Sequence, residues 1–165
     1  MKATYSVQLQ FYQSIYEEKL QRFHLPPEQL PFTAHPSLML ESNEKKRPIV
    51  ITYNSEPVGF FVLHRSERVS EYSQNSRAML LTAFSINHTE QGKGFALRAM
   101  NQLSEFSRKM YPFCNEIVLA VNKRNIPAQR LYEKAGFLDT GRRKTGKIGE
   151  QLIMSLILQH EEEDR

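Results

Sequence analysis

The chain of 165 residues holds a single cysteine, Cys114, so no disulfide can form within it. Its five histidines, His24, His35, His64, His88 and His160, lack zinc-ligand spacing, and no metal site is expected. No apolar run is long enough to span a bilayer. The first residues lead into Val7-Gln8-Leu9-Gln10, too polar for the core of a secretory signal. These absences predict a cytoplasmic chain with no membrane partner. Repeats and low-complexity stretches are also missing, which excludes solenoids and disordered linkers. Charge of one sign is in modest excess: the net charge is +4 and the pI about 9.2. The basic residues are scattered, however. The densest group, Arg142-Arg143-Lys144 with Lys147, has no interleaved aromatics, so no nucleic-acid partner is expected.

What is present is the composition of one globular domain, 40% hydrophobic and 24% charged. Periodicity over Val7–Phe23 predicts an amphipathic helix, stopped by Pro26-Pro27. A loop rich in proline follows. Ile49–Tyr53 and Val58–Leu63 read as a hairpin around Asn54-Ser55-Glu56-Pro57. Residues 66–77 read as loop, and the apolar run Ala78–Ile86 as a central strand. A helix after Gly94 places Ala96, Ala99, Met100, Leu103, Phe106 and Met110 on one face. Then come a strand over Glu116–Val121, a second helix, a segment from Phe137 to Arg142, and a last strand over Gln151–Leu158. This order is α+β with a mixed, mostly antiparallel sheet flanked by helices in three layers. One domain over residues 1–158 and a charged tail over 159–165 are expected.

The informative segment is Gln91-Gly92-Lys93-Gly94-Phe95-Ala96, which opens a helix directly after the central strand. Two glycines leave backbone N–H groups unshielded at the positive end of the helix dipole, as an anion cradle requires. It is not a P-loop, because Gly94 follows Lys93 where a hydroxyl residue is needed for magnesium. It is not a dinucleotide turn, because Leu97 stands at the third glycine position. It does match Gln/Arg-x-x-Gly-x-Gly/Ala through Gln91, Gly94 and Ala96.

A second motif lies about thirty residues on, from Val121 to Phe137. Asn122 ends a strand, Asn125 is an apt N-cap, and Pro127 falls in the first helical turn. Ala128, Leu131, Tyr132 and Ala135 recur at helical spacing on one buried face. Gly136 ends the helix in the left-handed conformation.

Together these motifs resemble the GNAT N-acetyltransferase family, over roughly Pro48 to Leu158. The resemblance implies the acyl-CoA N-acyltransferase fold, whose first strand would lie near Thr4–Leu9, overlapping the helix drawn there. It implies acetyl transfer from acetyl-CoA to a primary amine of a small molecule, peptide or protein. It assigns the pyrophosphate to Gln91, Gly92, Lys93, Gly94, Phe95 and Ala96. The pantetheine arm would pair with backbone at Phe84, Ser85 and Ile86, with Asn122 and Asn125 beside it. Tyr132 would be the general acid.

The family often carries a glutamate on the central strand as base, yet Ala78–His88 contains no carboxylate. His88, Glu71, Tyr72, His64 and a water chain all stay open. That gap motivates the alternative of a module that binds CoA or acyl-CoA without turnover. Glu17, Glu18, Glu28, Glu41, Glu44, Glu67 and Glu71 lie in segments that set specificity in the family, which would suit a cationic amine. The apolar last strand could lie at a homodimer edge.

Overall fold

Strands dominate because β-branched and aromatic runs recur between turn residues, and the central strands are buried along most of their length. The structure is a computed structural model describing residues 6–159. The order is β1 (Val7–Phe11), α1 (Glu17–Gln21), β2 (Lys46–Tyr53), β3 (Glu56–His64), β4 (Ala78–Ile86), α2 (Phe95–Met110), β5 (Glu116–Asn122), α3 (Ile126–Lys134), β6 (Leu138–Gly146) and β7 (Gly149–Ile157). One sheet joins all strands in the order β1-β2-β3-β4-β5-β7-β6. Every neighbouring pair is antiparallel except β4 and β5.

The helix expected over Val7–Phe23 is corrected. Val7–Phe11 pairs with Ile49–Tyr53 as an edge strand, and only the short α1 follows a 3₁₀ turn at Ser14–Tyr16. A five-residue strand gains a full ladder from β2, whereas a helix there would gain only local bonds. The strand proposed near Thr4–Leu9 is present from Val7; Thr4 itself, like the tail beyond Gln159, lies outside the described residues. The hairpin turns at Asn54 and Ser55, both with positive φ, as a two-residue primed turn requires. Within the stretch expected as loop, Glu67–Glu71 forms a 3₁₀ turn that buries Val69, with Tyr72 buried just after it.

Both faces of the sheet are covered. Phe95, Ala99, Met100 and Leu103 of α2 and Tyr132 of α3 pack on Phe61, Leu63, Met79, Leu81, Ile117 and Leu119. On the other face, Leu20 and Phe23 cover Val50, Phe60 and Val62, while Val69 and Tyr72 cover Leu80, Val118 and Ile153. Met110, expected on the buried face of α2, is exposed, because the helix outruns the sheet at its last turn.

The parallel pair is short. Only Ala78–Leu80 aligns with Glu116–Val118. Beyond Leu80 the strands part, for three reasons. Ala83 takes φ +57, and the β3 register slips between Phe60 and Val62, so β4 bulges there. Gly59 lets the far end of β4 press close to β3: a Cβ on it would lie 2.6 Å from Ile86 Cδ1 and 2.9 Å from the Ser85 carbonyl oxygen. β5 meanwhile stays paired with β7 along its whole length.

The closed end is clamped by a buried carboxylate. Glu116 accepts hydrogen bonds from Ser73 Oγ at 2.8 Å, Ser155 Oγ at 2.6 Å and Asn75 Nδ2 at 3.3 Å. Glu116→Ala should leave two buried hydroxyls without the carboxylate they donate to and cost about 3 kcal/mol in urea unfolding. Gly59→Ala should cost about 2 kcal/mol by overpacking against β4. Either variant unfolding at the wild-type midpoint would contradict these assignments.

Candidate active site

Where β4 and β5 diverge, the gap is a cavity of about 680 Å³. Its walls are the segments of β4 and β5 that no longer ladder with each other, Leu81–Ile86 on one side and Leu119–Asn122 on the other. Parting strands leave backbone N–H and C=O groups facing the gap, which a ligand carrying amides can satisfy. Ser85 supports such an occupant directly. It is buried, lines the cavity, and its Oγ has no hydrogen-bond partner.

The glycine turn forms one end. Gly92 and Gly94 have φ of +78 and +83, and a Cβ on either would meet open space within 4 Å. These glycines answer to backbone conformation, not to crowding, and they keep the approach to α2 clear of side chains. Gly94 is the N-cap of α2 with no side-chain cap, so the first N–H groups of this 16-residue helix are left without one. Gln91, Gly92, Gly94, Phe95 and Ala96 line the cavity. Lys93 does not: its ammonium pairs with Glu90 at 3.0 Å.

Other expected residues converge as well. Phe84, Ser85, Ile86, Asn122, Asn125 and Tyr132 are all in the wall. Asn125 caps α3 by accepting from Ala128 N at 3.3 Å. Asn122 is spent on the turn after β5, accepting from Arg124 N at 2.9 Å and donating to Ile148 O at 3.3 Å. Tyr132 is 7% exposed, meets Phe84 edge-on and lies tilted against Phe137. Burial pushes its phenol well above its ordinary value, so the hydroxyl keeps its proton at any physiological pH.

A roof over the cavity was not visible in the sequence. Glu28, Gln29, Pro31, Phe32 and Thr33 line it. Gln29 and Gln91 exchange two amide hydrogen bonds of 3.1 and 2.9 Å, and Gln91 Nε2 also donates to Ile86 O at 2.9 Å. Thr33 Oγ1 donates to Phe84 O at 3.0 Å, and His24 N to Asn87 Oδ1 at 2.9 Å. The Gln29–Gln91, Thr33–Phe84 and His24–Asn87 pairs span 51 to 63 residues of chain, a distance no local pattern encodes. Ile148 and Gln151 of the β6–β7 hairpin were likewise unmarked.

Of the candidate bases, His64 is buried on β3 and touches Thr82 of the wall. His88 is exposed beside the glycine turn, its ring edge-on to His24. Glu71 pairs with Lys144 at 3.4 Å, and Tyr72 is a core residue. Of the seven glutamates proposed near the mouth, only Glu28 reaches the wall, and Glu18 pairs with Arg22 at 2.6 Å. The others lie on solvated surfaces away from the wall.

Comparison with known proteins agrees with this geometry. Residues 9–137 match the model of the acetyltransferase (GNAT) family. The chain is 43% identical over 155 residues to the uncharacterized N-acetyltransferase YbbJ of Bacillus subtilis (strain 168), covering 92% of this chain and 97% of the relative. It is 28% identical over 121 residues to a spermine/spermidine N(1)-acetyltransferase of the same organism, covering 72% and 78%. Its fold is similar to that of the aminoglycoside acetyltransferase AAC(6')-Ib in complex with coenzyme A, with a TM-score of 0.74, 18% identity, and coverage of 92% and 95%. A cavity opened by parting strands, a glycine-capped helix at its end and this match over most of the chain have one reading: the protein belongs to the acetyltransferase (GNAT) family and is an N-acetyltransferase that takes its acetyl group from acetyl-CoA.

Proposed function

We propose that the gap between β4 and β5 holds the pantetheine arm of acetyl-CoA and that Tyr132 completes the transfer to an amine as general acid. The observation that carries this is the pairing of unladdered strand walls with a buried, protonated tyrosine on α3. Phosphates would sit on the N–H groups around Gly92, Gly94, Phe95 and Ala96, where the α2 dipole favours negative charge. Lys93 would act there through its backbone, since its side chain serves Glu90. The Ser85 hydroxyl and the backbone of Phe84–Ile86 supply polar partners for the arm, and Asn122 and Asn125 hold the start of α3 beside it.

Transfer to an amine moves one proton off nitrogen and one onto sulfur. A phenol held neutral by burial is suited to the second task, because it is always loaded. The family relatives include acetyltransferases named for spermine, spermidine and aminoglycosides, so the acceptor of this chain is read as an amine as well. The scarcity of acidic side chains in the wall gives no support to a polycation held by carboxylates. A panel of monoamines, polyamines, amino acids and peptide N-termini, followed by release of free thiol, tests the reading. Thiol release with at least one amine is expected. CoA binding without turnover on any of them would instead favour a binding module.

Two substitutions test the parts. Gly94→Glu should reduce CoA affinity severely, because a left-handed position becomes strained and a carboxylate enters the phosphate site. Unchanged affinity in isothermal titration would remove the phosphates from this turn. Tyr132→Phe keeps the ring and should keep the melting temperature, while kcat falls by roughly 10²-fold with CoA affinity little changed. Full activity at normal stability would end the general-acid role.

A further inference from the structure

The acceptor nitrogen needs a docking point, and β4 offers no carboxylate beside the acetyl donor. Among the described residues, the ionisable side chains of the wall are Glu28, Glu90, Arg124 and Tyr132. Glu28 is exposed and Glu90 is paired with Lys93. Neither is a desolvated base. Thr82 is different. It follows Leu80 and Leu81 where β4 leaves β5, and it alternates away from Leu81 to the sheet face opposite α2 and α3. Its Oγ1 lies 2.6 Å from Nε2 of His64, which is 5% exposed.

His64 is flanked by Leu80 on β4 and Lys46 on β2 in the ladder. Burial, then Arg68, then Lys46 lower its pKa to about 4. The ring is therefore neutral at neutral pH, with one nitrogen donating and the other accepting. An amine about to attack offers N–H donors only, because its lone pair is reserved for the carbonyl. The wall atom it meets must accept.

Resting on the acetyl-transfer reading above, we propose that Thr82 Oγ1 is the docking point of the acceptor amine, held as an acceptor toward the cavity because its own O–H is donated to Nε2 of His64. His64 is a positioning residue and takes up no proton during transfer. An ammonium placed against Thr82 would stand beside the ring that burial, Arg68 and Lys46 hold uncharged, and the same surroundings act in the same direction on it, against the cation. The site thus selects the free amine, whose first proton is lost to solvent before docking. In the transfer itself the N–C bond forms and the C–S bond breaks. One proton leaves nitrogen for solvent and one passes from Tyr132 to sulfur, and the phenol is then reloaded from solvent. No carboxylate on β4 is required.

Nitrogen-15 spectra of the histidine-labelled protein test the first half without any activity. His64 should show the Nδ1–H tautomer with Nε2 unprotonated and should not titrate between pH 5.5 and 8. An Nε2–H tautomer, or titration near pH 6.5, overturns the proposal. Kinetics test the second half. Thr82→Val should lower kcat/KM for the amine by at least about tenfold, the scale of a lost hydrogen bond, with CoA affinity within twofold. Thr82→Ser should recover most of it. The acid limb of kcat/KM should follow the pKa of whichever amine is supplied and should persist in His64→Gln. Full activity in Thr82→Val, or loss of that limb in His64→Gln, overturns the proposal, the latter by making His64 the base. A wild-type protein that binds CoA but acetylates no amine would instead sink the acetyl-transfer reading, and the spectra of His64 would still decide its tautomer.

Discussion

The structure turns on the ladder between β4 and β5 ending after three residues. Glu116 and its hydroxyl partners hold the strands together at one end, and the bulge at Ala83 with the close approach at Gly59 draws β4 away at the other. A non-glycine residue at φ +57 costs roughly 1–2 kcal/mol. That strain is tolerated because β3 and the core beneath it fix the chain on both sides. The result is two strand edges that face a cavity instead of each other inside a well-packed sheet.

The rest of the site is arranged around that gap. The glycine turn can face it because α2 starts where β4 ends, and Tyr132 reaches it because α3 starts where β5 ends. The Gln29–Gln91 amide pair and the Thr33–Phe84 bond then tie the segment before β2 onto the same opening. The roof and the glycine turn thus share hydrogen bonds and form one connected unit.

The electrostatic character of the wall is neutral where chemistry is expected. Tyr132 keeps its proton and His64 refuses one, both because burial penalises charge. Lys46 and Arg68 reinforce this on the His64 side. On the reading proposed above, such a site handles an amine as a free base, in contrast to one that would hold it as a cation between carboxylates.

The sequence by itself determined much of the frame. The hairpin residues Asn54 and Ser55, the apolar run of β4, the N-cap Asn125 and the helix end at Gly136 all encode their own conformation, because turn chemistry and side-chain period are local properties. The glycine turn and the α3 face were legible for the same reason, and they named one end of the wall and the α3 side of it. Val7–Phe11 misled because the helical spacing of Val7–Phe23 runs through it, although Val7, Leu9 and Phe11 alternate as a strand does and pair with β2. The tertiary structure alone decided that Gln29 meets Gln91 and that His64 on β3 bonds Thr82 on β4. Those contacts join residues far apart in the chain or on separate strands. Their energies depend on register and burial, which no local pattern carries.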